Sequence, residues 1–574
     1  MIMPPWLIAY QKDQLSGDIV AGIIVAVVLI PQAIAYGMLA GLPPEVALYS
    51  SILPLILYAV FGSSNTLAVG PVGLMSLMTG TALLELNLSS LEQTIAAAHT
   101  LAFLVGLFLL ALKVARLSGL INFLSHPVTS GFISASAIII IISQLKNLLG
   151  LAIPRGLPAY ESAYRTLEQL PQSNISSTFI GLFGLLILWF FKIPLTRYLN
   201  AGLMNSTARQ FISKSGPLFA VALSTFFVYY FSLNTGQLVT IIGHIPPGLP
   251  SIQLPSFNIS LVKMLLPNAF AIALIGYLES TSIAKSMASQ RREKISASKE
   301  LQGLGAANIA ASLSGGYPVA GGFGRSMVNF SSGANTPLAS IITAGLITLT
   351  LLSLTPLFFF LPKAILAAII IVAVAPLINV RAFKHAWRYD KTDALSLLVT
   401  FFTVLIVDVE TGLICGAAIS VGIYLHRSTQ PHIAVVGQVG TTEHYRNIDR
   451  HSVKTDPRIL AIRIDENLYF ANTNYLEDRI IQLIANKSAI DHVVLICSSV
   501  SIIDTSALES LESIHHNLEK AAISLHLAEI KGPVMDRLKG TPFLQKIGQK
   551  SIFLSTHQAM CFLKNEKIKP RQVC

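Results

Sequence analysis

The chain has 574 residues, of which 53% are hydrophobic and only 12% are charged, and its mean hydropathy is +0.63. Soluble globular proteins carry about 25% charged residues, so this composition excludes an ordinary soluble protein and indicates a membrane protein. The formal net charge of +11 does not indicate nucleic-acid binding, because the basic residues are scattered over many short loops, as membrane topology requires.

Apolar segments follow one another from the first residues to about residue 428. A helical span needs ~20 apolar residues, and some of these segments are short or broken by glycine and proline. In chain order the predicted spans are residues 17–38, 44–61, 69–85, 94–112, 118–143, 176–195, 214–232, 264–287, 297–313, 322–333, 337–354, 359–379, 392–408 and 411–426. We therefore predict an all-α membrane domain of fourteen spans over residues 1–428.

The distribution of basic residues predicts the orientation of these spans, because cytoplasmic loops are enriched in lysine and arginine. With a cytoplasmic N-terminus, the loops after spans 4, 6, 8 and 12 face the cytoplasm. Those loops hold Lys113, Arg116, Lys192, Arg197, Arg209, Lys214, Arg291, Arg292, Lys294, Lys299, Arg381, Lys384, Arg388 and Lys391. The opposite loops hold fewer, namely Lys146, Arg155, Arg165, Lys263 and Lys363. Both termini are therefore expected in the cytoplasm.

Spans 3 and 10 are poor membrane helices and resemble each other. They begin GSSNTLAVGPVGLMSLMTG, from Gly62, and GGYPVAGGFGRSMVNFSSG, from Gly315. Each has a glycine-rich approach followed by small residues, and each occupies the third position in a half of seven spans. Transporters built from inverted repeats bind their substrates where matching helices are interrupted. Two half-helices starting inside the membrane would present free N–H groups and positive dipole ends to an anion. The alternative is that the glycines only permit close helix packing.

Ionisable and polar residues at membrane depth mark further candidates. Arg325 in span 10 and Glu279 in span 8 are costly there and are functional hypotheses by default. Glu279 could bind a coupling H⁺ or Na⁺, or it could form a structural ion pair with Arg325 or Lys285. In span 1, Gln32 and Tyr36 are four residues apart and share a helix face, where both could donate hydrogen bonds to an anion or to a neighbouring helix.

Residues 429–574 form the predicted second domain. IAVVGQV, ILAIRIDENLYF, HVVLICSSV and ISLHLAEI are typical of strands, whereas NYLEDRIIQLIANK, IIDTSALESLESIHHNLEKAA and GPVMDRLKG are typical of helical segments. This alternation predicts an α/β domain whose sheet contains parallel strands. The cysteines form no metal-binding pattern, and no nucleotide-binding loop or hydrolase motif is evident, so no cofactor, no metal and no enzymatic activity are expected.

Five segments together resemble the SulP family of anion transporters, the bacterial relatives of the animal sulfate and chloride exchangers and prestin. They are IPQAIAYGMLAGLPPEVALYSS, VGPVGLMSLMTG, GYLESTSIAKSMASQ, LQGLGAANIAASLSGGYPVAGGFGRSMVNFSSGANTP and the loop IIDTSALESL of a C-terminal STAS domain. The resemblance implies a seven-plus-seven inverted repeat with core and gate domains, half-helices 3 and 10, elevator-like transport and a homodimer. It also implies an integral membrane protein, which we expect in a bacterial inner membrane, and leaves room for a cytosolic partner of the STAS domain.

The resemblance also assigns candidate site residues. Those expected to bind the anion are Gln32, Tyr36, Val72, Gly324, Arg325 and Ser326. Glu279 matches an acid carried by coupled bacterial and plant members, which favours cation-coupled symport. Gly324 stands where relatives often carry a hydroxyl residue. Asp504, Thr505 and Ser506 match the phosphorylatable loop of anti-sigma-factor antagonists, which makes them regulatory candidates.

The expected function is therefore uptake of a small anion, most directly sulfate, with H⁺ or Na⁺. Three alternatives remain open within or near the family: an uncoupled bicarbonate or chloride exchanger or channel, a dicarboxylate transporter, and a nucleobase transporter of related fold. A membrane-anchored regulator whose STAS domain carries the output is a fourth, although a simple anchor has no need of broken helices.

Overall fold

The computed structural model describes residues 4–119, 125–154, 156–201, 212–213, 215–235, 238–485 and 489–565. Arg155, Arg209, Lys214 and Cys574 lie outside these ranges, as do short parts of the predicted spans 118–143 and 214–232. Contacts divide the chain into two compact units, Met1–Ser420 and Val421–Cys574. The helix Val409–Thr429 runs across this division. The boundary after residue 428 stays a prediction.

The first unit is helical apart from two short strands, β1 (Val69–Gly70) and β2 (Ala320–Gly321). Its described α-helices are α1 Pro5–Ile8, α2 Leu15–Leu39, α3 Pro44–Tyr49, α4 Leu53–Phe61, α5 Gly73–Glu85, α6 Leu91–Val114, α7 His126–Leu149, α8 Ala159–Glu168, α9 Ile175–Phe190, α10 Thr196–Ala201, α11 Gly216–Tyr230, α12 Ile259–Arg291, α13 Ala297–Leu313, α14 Phe323–Ser331, α15 Leu338–Leu349, α16 Lys363–Val374, α17 Val380–Tyr389, α18 Lys391–Ile406 and α19 Val409–Thr429.

Every predicted span contains at least part of one of these helices. Among the described residues, nine helices are long and apolar enough to cross a membrane by themselves. The remaining predicted spans hold shorter helices, such as α5 with 13 residues and α14 with 9, which cannot cover ~30 Å of hydrocarbon alone. The count of fourteen crossings therefore stays a prediction.

Local sequence explains where several helices begin. Ser90 and Ser296 precede α6 and α13, and each accepts a hydrogen bond from the backbone N–H three residues later. The proline in α2, Pro31, lies inside an unbroken helix. Helix α2 therefore continues on both sides of Pro31, although proline removes one backbone hydrogen bond.

The second unit contains a six-stranded sheet in the order β4-β3-β5-β6-β7-β8. Its strands are β3 Ile433–Gln438, β4 Tyr445–Asn447, β5 Ile459–Ile464, β6 His492–Ile496, β7 Ser524–Ala528 and β8 Ile552–Phe553. Strands β5 to β8 are parallel, and β3 pairs antiparallel with both β4 and β5. The parallel-containing sheet predicted from the alternating pattern is confirmed.

Helices of the second unit are α20 Thr473–Ala485, α21 Thr505–Lys520, α22 Gly532–Leu538, α23 Pro542–Ile547 and α24 Thr556–Asn565. One face of α20 is turned inward: Leu476 and Ile480 are buried in one hydrophobic cluster, and Leu483 packs against it. Strands β4 and β8 and helices α23 and α24 were not predicted, because segments of two to ten residues carry too little periodicity.

Candidate functional site

Two extended segments from opposite halves of the first unit meet at a short antiparallel ladder. Val69 pairs with Gly321, and Gly70 pairs with Ala320. Helix α5 begins just after β1, capped by Val72, and α14 begins just after β2, capped by Gly322. The ladder therefore brings together the starts of two helices that are about 250 residues apart in sequence.

Close backbone approach explains why this region needs glycine. An added Cβ on Gly321 would lie 2.7 Å from Cδ1 of Leu67, closer than side-chain atoms tolerate. Gly316, in the approach to β2, would likewise collide with Oγ of Ser50. A larger residue at Gly321 would have to displace Leu67 in the other approach, and one at Gly316 would have to displace Ser50 at the end of α3.

Both helix starts offer unpaired backbone donors. The first intrahelical bonds run from the N–H of Ser76 to the carbonyl of Val72 and from the N–H of Ser326 to the carbonyl of Gly322, each 2.9 Å long. The N–H groups of residues 73–75 and 323–325 come before these bonds and have no acceptor within their own helix. Together with the helix dipoles, they make this point of the fold favourable for an anion.

The fourth residue of each short helix is a serine that bonds to the approach segment of the other half. Ser326 Oγ accepts a hydrogen bond from the N–H of Ala68 at 2.9 Å. Ser76 Oγ lies 2.8 Å from the hydroxyl of Tyr317. The two contacts match, because each serine bonds to the approach segment of the other half. Sequence reasoning missed Ser76 and Tyr317, although polar side chains in such an apolar region were a usable signal.

Arg325 lies between the two approaches and is only 2% exposed. One guanidinium nitrogen, Nη1, donates to the carbonyl of Pro71. The other two, Nε and Nη2, are buried without a hydrogen-bond partner among the described residues. The guanidinium lies beside the backbone of two glycines: an added Cβ would come within 3.5 Å of Nη2 at Gly70 and 3.0 Å at Gly322. Both nitrogens can therefore donate to a ligand.

Other predicted site residues surround the same point. Tyr36 is buried, and its Cε1 lies 3.3 Å from where a Cβ on Gly73 would stand, against the first residue of α5. Val72 and Ser326 are also buried. Gly324 is exposed and has open space around it, with no atom within 4 Å of an added Cβ. Gln32 is half-buried one turn before Tyr36 on α2.

Glu279 lies on α12. The next residue, Ser280, is tied to β2, because its Oγ accepts a hydrogen bond from the N–H of Gly321 at 2.8 Å. Oε2 of Glu279 is buried and has no hydrogen-bond partner in the described part of the chain. The described residues form no salt bridge between Glu279 and Arg325 or Lys285, so a direct ion pair is not observed. The charges of Glu279 and Arg325 nevertheless lie close enough to interact electrostatically.

In the second unit, Asp504 acts as a structural cap. Its Oδ1 accepts the N–H of Ala507 and its Oδ2 accepts the N–H of Phe470, each at 2.8 Å. Thr505 and Ser506 follow in the first turn of α21, and both are exposed. Their hydroxyls are therefore accessible to solvent, while the regulatory role suggested for all three residues stays a prediction.

Comparison with known proteins identifies two matching families. The sulfate permease family matches residues 15–400, and the STAS domain matches residues 450–559. Among curated relatives, probable sulfate transporter 4.2 of Arabidopsis thaliana is 36% identical over 573 residues, covering 97% of this chain and 82% of the relative. High affinity sulfate transporter 2 of Stylosanthes hamata is 33% identical over 570 residues, covering 97% and 85%.

Solved structures show the same fold. The murine solute carrier 26 family member A9 anion transporter, in its inward-facing state, superimposes with a TM-score of 0.88 at 23% identity, covering 98% of this chain and 93% of that one. The transmembrane domain of a cyanobacterial bicarbonate transporter, BicA, has a TM-score of 0.60 at 25% identity, covering 72% and 99%.

Proposed function

This chain belongs to the sulfate permease family and is an integral membrane anion transporter rather than an enzyme, and from that premise we propose that it takes up sulfate together with H⁺ or Na⁺. The curated relatives are sulfate transporters by name, which favours sulfate over other small anions. The single observation that carries the proposal is Arg325, buried between two helix starts with two guanidinium nitrogens that have no partner among the described residues.

The anion binds between the first turns of α5 and α14. Backbone N–H groups after Val72 and around Gly324 donate to its oxygens, and Arg325 donates from Nε and Nη2. Open space beside Gly324 leaves room for the ligand. Tyr36 and Gln32 complete the wall from α2, and Ser326 holds the ladder in place through Ala68. Because the site consists mainly of fixed backbone dipoles, it needs no full set of charged residues to replace the water around the anion.

Glu279 binds the coupling cation. Sulfate carries two negative charges and Arg325 supplies one positive charge, so a loaded site with an ionised Glu279 would bury excess negative charge in a poorly solvated region. A proton or Na⁺ on the unpartnered Oε2 neutralises Glu279 and so lowers that excess by one charge. In the empty site, the carboxylate of Glu279 instead balances Arg325 through space.

Transport follows from an inverted repeat whose core moves against a gate. The proposal is supported by the matching serine contacts: α5 bonds to the approach of the second half and α14 to that of the first. These hydrogen bonds join the two half-helices into one rigid body. The bound anion would therefore be carried across the membrane together with that body. Alternating access by relative movement of repeats is common in such transporters.

The proposal extends to assembly and location. We infer a homodimer in a bacterial inner membrane, with both termini cytoplasmic, although the curated relatives compared above are plant proteins. A domain division near residue 428 and a cytosolic partner for the STAS domain belong to the same proposal.

Uptake of labelled sulfate by the purified chain in liposomes tests this function, with pH and Na⁺ gradients imposed independently. One gradient should drive accumulation in the wild type, and Glu279→Gln should abolish that dependence. Glu293→Gln, at the half-buried carboxylate just beyond α12, is the matched control and should retain it. Unchanged gradient dependence in Glu279→Gln would exclude the coupling role.

A second candidate keeps the site and changes the transport mode. BicA, a bicarbonate transporter by name, shares the membrane fold, which favours comparing bicarbonate with sulfate directly. Competition of labelled sulfate uptake by bicarbonate, chloride and a dicarboxylate ranks the substrates. Efflux of internal chloride in step with sulfate entry, without any effect of pH or Na⁺, would identify an exchanger instead.

A further inference from the structure

Tyr317 is a fully buried side chain, 0% exposed, in the extended approach to β2. Its backbone N–H donates to Oγ of Ser50 at 2.9 Å, which fixes the base of the residue against the C-terminal end of α3. Its hydroxyl, at the other end of the ring, lies 2.8 Å from Oγ of Ser76 on α5. The aromatic ring thus spans from the approach of one half to the half-helix of the other.

The other hydrogen bonds between the two helix starts reach the approach to α5, including those from Gly322 N–H to the carbonyl of Ala68 and from Asn329 Nδ2 to the carbonyl of Thr66. The ladder between β1 and β2 has only two residue pairs among the described residues. Ser326 bonds to Ala68, and Arg325 bonds to the carbonyl of Pro71. Both of these bonds reach the approach to α5 rather than α5 itself. The hydrogen bond between Ser76 and Tyr317, by contrast, is made by a residue of α5 itself, so it links the first turn of that helix directly to the approach to β2.

Tyr317 also lies near the proposed anion site. Its partner, Ser76, is in the first turn of α5, and Arg325 donates to the carbonyl of Pro71 just before that helix. A change in the position of the Tyr317 ring therefore affects the start of α5 and the segment that Arg325 contacts. The phenol makes its bond to Ser76, and we do not assign it a contact with the anion.

We propose that Tyr317 is a positioning residue that, through its bond to Ser76, sets the distance between the first turns of α5 and α14. That distance determines which oxyanion sizes the site accepts. The transport test of this inference rests on the proposed function, namely sulfate uptake. It concerns selectivity, which neither Glu279 nor the coupling ion determines.

A purely structural role makes a different prediction. Removing one hydroxyl leaves its buried partner unsatisfied, whereas removing both restores stability because neither group is left unpaired. If Tyr317 only stabilised the fold, the double variant Tyr317→Phe with Ser76→Ala would recover wild-type uptake. If the bond positions α5, the double variant regains stability but keeps the altered selectivity.

The test uses the full chain in liposomes, with labelled sulfate uptake competed by selenate and by the larger molybdate. Tyr317→Phe should raise the KM for sulfate roughly 3- to 10-fold, as expected for loss of one buried hydrogen bond, with kcat nearly unchanged. In the same variant, molybdate should inhibit uptake of labelled sulfate more strongly than it does in the wild type, relative to inhibition by unlabelled sulfate. Tyr277→Phe is the matched control, because its hydroxyl donates to the carbonyls of Ser118 and Ala297, away from the site.

Hydrogen exchange of the same purified chain tests the bond without relying on transport. Backbone amides of residues 70–78 should exchange faster in Tyr317→Phe and in Ser76→Ala than in the wild type or in Tyr277→Phe. Unchanged exchange there, or a double variant with wild-type KM and wild-type competition by molybdate, would overturn the proposal. Absence of sulfate uptake by the wild type would instead reject sulfate as substrate, and the exchange experiment would still decide the role of Tyr317.

Discussion

Replacing Arg325 by methionine should abolish high-affinity anion uptake without weakening the fold. The side chain is buried, and two of its nitrogens, Nε and Nη2, have no hydrogen-bond partner in the described structure. In the empty protein these donors and the charge are a liability, because buried unpaired polar groups are costly. In the loaded protein they bond to the anion.

The size of the effect follows from the number of free donors. A hydrogen bond involving a charged group contributes about 1.5–3 kcal/mol, so two such bonds contribute about 3–6 kcal/mol to anion binding. That corresponds to an increase in KM of roughly 10²- to 10⁴-fold in Arg325→Met. Arg325→Lys keeps the positive charge but loses the planar pair of donors, so it should lie between the wild type and Arg325→Met.

Two measurements on the same preparations check this prediction. Initial rates of labelled sulfate uptake in proteoliposomes give KM, and thermal unfolding of the detergent-solubilised chain gives stability. We expect Arg325→Met to unfold at or above the wild-type temperature while its uptake fails to saturate. Combining it with Glu279→Gln removes both charges. If Arg325 served mainly to balance Glu279, the double variant would regain uptake that the single variant lost.

The opposite pattern would refute the reasoning. If Arg325→Met unfolds at a much lower temperature but keeps a near-normal KM, the guanidinium is a structural element bonded to Pro71 rather than a ligand. The proposed site would then have to consist of backbone donors alone.

Further predictions concern three other positions. Gly324→Leu should block saturable uptake by filling the open space beside the helix start, whereas Gly324→Ser should retain it, as measured by the same uptake assay. Asp18→Asn should lower the free energy of unfolding by about 1–3 kcal/mol, because Asp18 Oδ2 accepts the hydroxyl of Thr336 at 2.6 Å and the amide cannot fully replace the carboxylate; thermal unfolding checks this. Burial, with the neighbouring His492, lowers the pKa of His526 from 6.5 to about 4, so the stability that neutral His526 contributes is complete above pH 6.5 and is lost as pH falls towards 4. His526→Leu should flatten that part of the stability profile of the full chain, and an unchanged profile would show that other groups cause it.

The two half-helices could be predicted from the sequence because the residues that cause them lie within a few positions of each helix start. Glycine at close approaches and Pro71 before a helix start disfavour a full span whatever the rest of the chain does. Arg325 and Glu279 stood out for a similar reason, since charged side chains are rare in apolar segments. The structure places Tyr36, Val72 and Arg325 at the two helix starts, with Gly324 and Ser326 in the first turn of α14, whereas Gln32 lies one turn before Tyr36 on α2.

The long-range hydrogen bonds that hold the site together could not be predicted from local sequence in the same way. Ser76 and Tyr317 are separated by 241 residues, and Asp18 contacts the segment before α15 across 318 residues. Serine can bond to a carbonyl of its own helix, and Tyr317 lies in an extended segment, so neither residue type identifies its partner. Only the way in which the two halves pack together determines which hydroxyl groups form hydrogen bonds with each other.

The position of a bound anion tests the central claim most directly. Selenate resembles sulfate in shape and charge, and selenium scatters anomalously, so a crystal of the full chain grown with selenate reports where the oxyanion lies. A single selenium peak between the first turns of α5 and α14, within hydrogen-bonding range of Arg325 and beside Gly324, is the predicted result. A peak elsewhere in the membrane unit, from protein that transports selenate, would contradict it.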